Sequence, residues 1–166
     1  MFGFTSYVFQ NLYEKINNKK LKYNFENAIL IHGGGWKKME NKRISNFLFK
    51  KKLFEKLKIK NIINYYGLVE QTGSIFIECE KCESFISSIF SEILIRDKNF
   101  NIQKPGERGL VQLFSILPTS YPGHSIITED IGEILPKNKI KCNLDTTHFL
   151  IHGRSKHSEV RGCSDV

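Results

Sequence analysis

Residues 66–70 (YGLVE) form the stretch best suited to hold a ligand, and they directly follow a β-rich run at residues 61–64. The aromatic face of Tyr66 can stack on a planar base, and Gly67 allows the backbone to turn sharply. The carboxylate of Glu70 can hold a cation or accept a hydrogen bond from a hydroxyl. This spacing is common by chance, so other stretches must supply the rest of a site.

A second stretch has three consecutive glycines, Gly33, Gly34 and Gly35, after the apolar run at residues 28–31. Glycines in this position allow a ligand to approach the backbone closely. The stretch lacks the lysine and hydroxyl order of a phosphate-binding P-loop, so that motif is excluded.

The apolar spacing predicts the elements that hold these loops. Residues 28–31 and 61–64 are predicted to be strands, residues 44–57 a surface helix between them, and residues 5–16 an earlier amphipathic helix. The apolar positions of the surface helix are Ile44, Phe47, Leu48, Phe54 and Leu57. Strand, glycine loop, helix and strand form a βαβ unit with parallel strands. Both loops therefore leave the same sheet edge, where open α/β sheets bind ligands.

After Gly73 the pattern changes to short strand-like runs divided by turn signals. These runs lie at residues 74–77, 92–96, 110–116, 131–135 and 147–151. We therefore predict an α/β part at residues 1–73, with a parallel βαβ sheet. It is followed by a mostly antiparallel, barrel-like β region at residues 74–166, within a single compact unit.

The basic character of the chain makes RNA binding one candidate function. The net charge is +8, and lysines cluster at residues 50–60. Lysine greatly exceeds arginine, and asparagine, isoleucine and phenylalanine are also abundant. That joint bias is typical of a low-GC genome, and a solvated helix face explains the lysine run. RNA binding is therefore the less favoured alternative.

The size and composition predict one soluble domain. The chain has 166 residues, of which 40% are hydrophobic, enough for a core. No apolar run approaches the roughly 18 residues needed to span a bilayer. The first residues show no basic segment followed by an apolar stretch, so no signal peptide is apparent. We expect a cytoplasmic protein without a membrane span.

The four cysteines are Cys79, Cys82, Cys142 and Cys163, and without a secretory signal they indicate reduced thiols. Cys79 and Cys82 have the spacing of half a zinc site, with Cys142 as a distant third ligand. The usual second pair is missing. Buried or incidental cysteines are therefore the favoured interpretation, and zinc binding stays open.

Four short motifs follow one another along the chain. They are YGLVE at residues 66–70, GERGL at 106–110, TEDIGEI at 128–134 and HGRSK at 152–156. Each is weak alone, but their order and spacing resemble the motif series of the adenylate-forming enzyme superfamily.

Further stretches narrow the resemblance to the LuxE-type acyl-protein synthetases, which are fatty-acid-activating ligases. They are HGGGWKK at residues 32–38, YGLVEQTG at 66–73, SYPGH at 120–124 and EVRGCSD at 159–165. The resemblance covers nearly the whole chain but corresponds only to the C-terminal half of such an enzyme.

The resemblance implies that ATP and a fatty acid or related carboxylic acid give an acyl-adenylate and pyrophosphate, followed by acyl transfer to a thiol. Tyr66 would stack on adenine beside Gly67, with the glycines at 33–35 on the other side of the base. Glu70 would ligate Mg²⁺ at the phosphates. Asp130 would accept hydrogen bonds from both ribose hydroxyls.

The resemblance also gives roles to residues near the end of the chain. Arg154 would assist at the ribose or phosphates, with Lys156 near the same hinge. Cys163 would carry the acyl group as a thioester, since Arg161 could lower its pKa and Gly162 permits motion. Each residue also has a purely structural alternative. Tyr66 would then be a core residue, Asp130 a turn residue, Arg154 a surface charge and Cys163 an ordinary tail cysteine.

The sequence also departs from the superfamily pattern. Val69 stands where most members have threonine, so a phosphate contact is lost unless Thr72 replaces it, and Glu129 replaces a glycine. No lid domain follows Lys156, and the phosphate loop and most of the acyl pocket belong to the N-terminal half. We therefore expect a truncated or split part that acts with an N-terminal half, and with an acyl reductase or transferase partner. The alternative is a catalytically silent structural or interaction module.

Overall fold

The structure is a computed structural model that describes residues 1–17 and 23–155. The chain divides into two compact units between Tyr65 and Tyr66. Within the described ranges, no helix is long and apolar enough to cross a membrane.

The first unit contains three parallel strands. They are β1 (Phe2–Phe4), β2 (Ile29–Gly33) and β3 (Asn61–Gly67), and the last two residues of β3 belong to the second unit. β2 pairs with both of the others, and Ile29 lies opposite Asn61. The predicted parallel pair is therefore confirmed. β1 was not predicted, because three residues are too few to show alternation.

The helices of this unit connect its strands. Residues 5–17 are helical, with α-helical turns Thr5–Tyr7 and Lys15–Asn17 on either side of a π-helical stretch, Val8–Glu14. A 3-10 segment, Lys37–Lys42, precedes the α-helix Asn46–Leu57. The predicted helices at residues 5–16 and 44–57 are thus confirmed.

Local signals determine where the helix Asn46–Leu57 begins and ends. The side chain of Ser45 accepts a hydrogen bond from the backbone N–H of Leu48 at 3.2 Å, which satisfies one of the free amides of the first turn. At the other end, Lys58 adopts a left-handed conformation with φ of 61°. That conformation is a common way for a helix to terminate.

The buried face of this helix differs from the predicted one. Phe49, Leu53 and Leu57 are fully buried and lie four residues apart along one stripe. Phe47 is 66% exposed and Phe54 is 45% exposed. Their predicted place on the inward face was therefore wrong. Apolar residues lie on both faces of the helix, so spacing alone did not decide which face is inward.

The second unit contains six antiparallel strands. They are β4 (Ile75–Cys79), β5 (Ser84–Ile86), β6 (Ser91–Arg96), β7 (Gly109–Ser115), β8 (Ser125–Ile134) and β9 (His148–Arg154). Their order in the sheet is β4-β5-β9-β8-β7-β6. The predicted antiparallel region is confirmed, and its described strands form an open series rather than a closed barrel.

A separate core stabilises the second unit. It is formed by Phe76, Ile93, Ile95, Val111, Leu113 and Phe149. Two short 3-10 turns, Val69–Gln71 and Lys137–Lys139, lie in its connections. β8 begins six residues earlier than the strand predicted at 131–135, because polar Thr128, Glu129 and Asp130 interrupt its apolar pattern.

Candidate functional site

Three of the predicted site residues, Tyr66, Asp130 and Arg154, lie close together in the second unit. The hydroxyl of Tyr66 donates a 2.7 Å hydrogen bond to Oδ2 of Asp130. Arg154 lies directly across from Asp130 in the β8–β9 ladder, and its Nε is 3.8 Å from Asp130 Oδ1. The Asp130 carboxylate, whose side chain is 16% exposed, is therefore held between a phenol and a guanidinium.

The backbone that leads into this carboxylate is also constrained. The N–H of Asp130 donates to Oγ1 of Thr128 at 3.0 Å, and the Thr128 hydroxyl donates to the carbonyl of Val111 at 3.0 Å. Thr128 thus fixes Asp130 against β7. The sequence interpretation gave Thr128 no role of its own, although its position two residues before Asp130 suits such a hydrogen bond.

A β-bulge brings Arg154 into register with Asp130. Ile131 pairs with Gly153, whereas the next residue, Gly132, pairs with Ile151, so β9 has one extra residue between them. Gly153 has φ of +120°, which favours glycine. Bulges of this kind redirect a side chain at the end of a strand. Here the bulge lies immediately before Arg154.

The surroundings of Tyr66 keep its hydroxyl protonated. Burial raises the pKa of Tyr66 well above its ordinary value, and the nearby Asp130 carboxylate raises it further. The Thr128 hydroxyl and then the Arg154 guanidinium lower its pKa, but only in part. The phenol is therefore a hydrogen-bond donor over the whole physiological range, and Asp130 is its acceptor.

The ring of Tyr66 has a structural role in addition to that of its hydroxyl. It lies 6.1 Å from the ring of Phe76, 5.9 Å from that of Phe85 and 6.1 Å from that of Phe149, measured between centroids. Tyr66 is thus anchored in the core of the second unit, which fixes the phenol that holds Asp130. Stacking of this ring on adenine stays a prediction.

Glu70 is an exposed residue in the 3-10 turn Val69–Gln71. The two residues that follow it, Gln71 and Thr72, form hydrogen bonds with the loop at residues 121–123. Gln71 is fully buried, and its Nε2 donates to the carbonyl of Gly123 at 2.8 Å. The backbone N–H of Thr72 donates to the hydroxyl of Tyr121 at 2.9 Å, and the Thr72 hydroxyl lies 2.8 Å from the same oxygen. Thr72 therefore holds the loop that presents Glu70.

Each glycine of the first unit's loop has its own environment. A Cβ on Gly33 would lie 2.6 Å from both Cε1 and the carbonyl oxygen of Tyr65. Gly33 is thus required by the neighbouring strand. Gly34 has a positive φ of +76°, whereas a Cβ on Gly35 would meet nothing within 4 Å. Of the three, Gly35 leaves the most open space for a ligand.

A buried histidine precedes this loop, and sequence reasoning assigned it no role. The Thr5 hydroxyl donates its hydrogen to the carbonyl of Gly33 at 3.0 Å, so its oxygen accepts from Nδ1–H of His32, also at 3.0 Å. His32 is therefore the neutral tautomer with a proton on Nδ1. Burial lowers its pKa to about 4, and the charge of Lys50 contributes to the same shift. The pair fixes the carbonyl where the glycine loop begins.

Two predicted site residues, Lys156 and Cys163, lie outside the described residues. Gly67 is the last residue of β3 and leads into the turn that carries Glu70.

Solved structures similar to this chain are adenylate-forming ligases. A long-chain-fatty-acid-CoA ligase from Archaeoglobus fulgidus is 12% identical, with a TM-score of 0.63 over 93% of this chain and 34% of its own. A 2-hydroxyisobutyryl-CoA ligase in complex with 2-HIB-AMP and CoA is 17% identical, with a TM-score of 0.66 over 92% and 33%. McyG A-PCP complexed with phenylalanyl-adenylate is 17% identical, with a TM-score of 0.58 over 93% and 30%. At these identities the likeness shows the fold.

The chain spans about a third of the length of these solved structures. No curated protein matches its sequence. The sequence model of the family described as "Acyl-protein synthetase, LuxE" matches residues 1–166. The match extends over both units and over every motif described above.

Proposed function

The chain belongs to the LuxE acyl-protein synthetase family, and we propose that it provides the adenosine-binding part of an ATP-dependent acyl-activating site. The main support is the position of the Asp130 carboxylate, which lies 2.7 Å from the Tyr66 hydroxyl and 3.8 Å from Nε of Arg154. An oriented carboxylate is the group that proteins commonly use to accept hydrogen bonds from ribose hydroxyls.

The proposed reaction has two steps. A carboxylate oxygen of the acid attacks the α-phosphorus of ATP, and the bond from that phosphorus to pyrophosphate breaks. The acid then carries AMP as its leaving group, so a thiolate can attack the carbonyl carbon and release AMP. In both steps the residues of this chain bind and orient, which brings the reacting groups together.

Asp130 and its two neighbours would bind the nucleoside. A carboxylate has about four lone-pair sites, so Asp130 can accept from Tyr66 and still accept from two ribose hydroxyls. Tyr66 acts as a positioning residue through its hydroxyl, which donates to Asp130. Arg154 supplies positive charge near the ribose and the phosphates.

Glu70 suits the magnesium ion that ATP chemistry uses. It is an oxygen ligand on an exposed turn, and Gln71 and Thr72 attach that turn to its neighbours. Magnesium is usually held by one or two carboxylates together with substrate phosphates and waters, so a single glutamate is sufficient from this chain. When bound there, the ion would neutralise charge on the phosphates.

The remaining parts of the site would come from an N-terminal half, either separately encoded or joined to this chain. The third of the relatives' length that this chain spans supports that arrangement. So does the apolar face of the first unit, where Phe2, Ile29 and Ile31 are exposed on paired strands. Such a face is normally covered in an α/β fold. We place the assembled enzyme in the cytoplasm, with an acyl reductase or transferase as its partner.

The acyl group would finally reside on Cys163, and the acid would be a fatty acid. Both assignments follow from the family resemblance. The same resemblance assigns nucleotide contacts to Lys156 and to the three glycines at 33–35; of these glycines, only Gly35 has nothing within 4 Å of an added Cβ.

ATP–pyrophosphate exchange with fatty acids tests this function. We expect exchange when the full chain is combined with the N-terminal half of a LuxE-type enzyme, and none with either part alone. Asp130→Asn should reduce exchange about 10- to 100-fold, the cost of about 1.5–3 kcal/mol for a hydrogen bond to a charged group. Asp145→Asn, at an exposed loop position, is the matched control. Equal exchange by the two variants would contradict the proposal.

The second candidate is an interaction module without catalysis, and the same exposed apolar face favours it. It predicts binding of the N-terminal half without any exchange. RNA binding has less support, because Lys51 pairs with Glu55 and Lys60 pairs with Glu26. The Lys51–Glu55 pair is typical of a solvated helix face, and Lys60 and Glu26 pair outside that helix.

A further inference from the structure

Three cysteines and one histidine of the second unit meet at one end of its sheet. Cys79 ends β4, and Cys82 lies in the turn before β5. Cys142 lies in the connection between β8 and β9, and His148 is the first residue of β9. Their ligand atoms all lie within 4.8 Å of one another, and Cys142 Sγ is 3.4 Å from His148 Nε2.

We propose that Cys79, Cys82, Cys142 and His148 bind one structural zinc ion. Zinc bonds of about 2.3 Å to sulfur and 2.0–2.1 Å to nitrogen place neighbouring ligand atoms of a tetrahedron about 3.4–3.8 Å apart. The Cys142–His148 separation has this value, and small side-chain rotations bring the wider pairs to it. Three thiolates and an imidazole are a ligand set that selects zinc over magnesium or calcium.

The histidine is oriented for this role. Its Nδ1 lies 2.8 Å from the hydroxyl of Ser84, in a fully buried position. With Nδ1–H donating to Ser84, the lone pair of Nε2 faces the three sulfurs. A second hydrogen bond of this kind is the usual support of a zinc-bound histidine.

The backbone near the cysteines supports a thiolate. The N–H of Lys141 donates to Sγ of Cys82 at 3.3 Å, and the N–H of Cys82 donates to the carbonyl of Cys79 at 3.2 Å. The second bond closes the tight turn between the first two ligands.

The arrangement indicates a structural ion rather than a catalytic one. Four protein ligands complete a tetrahedral site, whereas catalytic zinc keeps one position open for water or substrate. The ion would join the β4–β5 turn to the connection that precedes β9. That connection has a 3-10 turn, Lys137–Lys139, as its regular structure. Arg154 lies at the other end of β9, about 20 Å away along the strand.

Metal analysis of the full chain tests the proposal. After expression with zinc and purification without chelators, we expect about one zinc per chain by mass spectrometry. Cobalt added to the metal-free protein should give the visible absorption of tetrahedral cobalt and a thiolate-to-cobalt charge-transfer band. This titration uses the unaltered sequence, so it decides the question even where a variant fails to fold.

Matched substitutions identify the ligands. Cys82→Ser and His148→Gln should each lose most of the bound zinc and the charge-transfer or ligand-field signature of a complete site. His124→Gln changes a histidine that is not among the four ligand atoms, and Cys163→Ser changes the one cysteine that is not a proposed ligand; both should retain about one zinc per chain.

Three results would overturn the inference. The first is an unaltered chain that binds neither zinc nor cobalt. The second is zinc content unchanged in both ligand variants. The third is a Cys79–Cys82 disulfide, or iron in place of zinc, in the purified protein.

Discussion

The hydroxyl of Tyr66 donates a 2.7 Å hydrogen bond to the carboxylate of Asp130, a residue 64 positions further along the chain. The Tyr66 ring is fixed by packing against Phe76 and Phe149, and the Asp130 backbone is fixed by Thr128. A carboxylate held from both sides has one orientation. The proposed ribose contact therefore requires little rearrangement when a nucleotide binds.

Tyr66→Phe removes this hydrogen bond while it preserves the ring packing. We expect the free energy of unfolding to fall by about 1–3 kcal/mol, because Asp130 loses a donor in a mostly buried position. Urea unfolding of the full chain measures the change. Tyr7→Phe, at an exposed position, should change it by less than about 0.5 kcal/mol. Equal stability of the two variants would mean that the Tyr66 hydroxyl contributes nothing.

The sequence predicted those elements whose signal is local. β2, β3 and the intervening helix each contain their own apolar pattern, and a βαβ connection forces parallel strands. β5 was missed because Ser84–Ile86 is short and starts with a polar residue. The inward face of the helix was misassigned, since Phe47 and Phe54 differ from Phe49 only in what packs against them.

The other features that were not predicted depend on contacts between segments that are far apart in the sequence. His148 joins the three cysteines because β5 pairs with β9, with Ile86 opposite His148, and no local pattern shows that pairing. A zinc motif with two pairs of cysteines has no place for this histidine, so the sequence spacing did not indicate it as the fourth ligand. Thr128 was likewise invisible as a support for Asp130. The motif order brought Tyr66, Asp130 and Arg154 to attention, and their roles stay predictions.

Gly33→Ala and Gly35→Ala separate a structural glycine from an accessible one. A methyl group on Gly33 would lie 2.6 Å from the ring and carbonyl of Tyr65, so we expect a loss of about 1–3 kcal/mol in unfolding free energy. The same change at Gly35 meets open space and should leave stability within about 0.5 kcal/mol. Thermal unfolding of both proteins measures this contrast. Similar melting temperatures would show that Tyr65 does not cover Gly33.

The lowered pKa of His32 predicts that the folded chain loses stability in mild acid. Its pKa is lowered from the ordinary 6.5 to about 4, so the unfolded chain takes up a proton at a higher pH than the folded chain does. The folded state is therefore unaffected above about pH 6.5 and loses stability as the pH falls toward 4, by about 2 kcal/mol at pH 5.

Urea unfolding at about pH 7.5 and pH 5 checks the His32 prediction. His32→Gln should remove about 2 kcal/mol of the pH dependence, whereas His124→Gln, exposed, should keep all of it. The cysteines and His148 are common to these proteins, so their contribution cancels in the comparison. An unchanged pH dependence in His32→Gln would refute the assignment.

Cys163→Ser tests the proposed acyl acceptor. In the chain combined with an N-terminal half, radiolabelled fatty acid and ATP should label the unaltered protein through a thioester that hydroxylamine cleaves. The variant should lose this label, because a serine hydroxyl is a far weaker nucleophile than a thiolate. ATP–pyrophosphate exchange that depends on the added fatty acid should continue in the variant. Ser164→Ala is the neighbouring control and should be labelled normally. A label that persists in Cys163→Ser would assign the acceptor elsewhere.

Chelation should destabilise the chain in a way that depends on Cys82. If the zinc site is saturated at about 1,000 times its Kd, the ion contributes about 4 kcal/mol. At about 2–4 °C per kcal/mol for a protein of this size, a strong chelator should lower the Tm by about 8–16 °C. Added zinc should restore the original value.

In Cys82→Ser the Tm should already be low and should not respond to chelator, because the ion would have lost one of its four ligands. The same chelator should leave the Tm of Cys163→Ser as sensitive as that of the unaltered chain. A Tm that is insensitive to chelator in the unaltered chain would show that the four side chains stabilise the sheet without a metal.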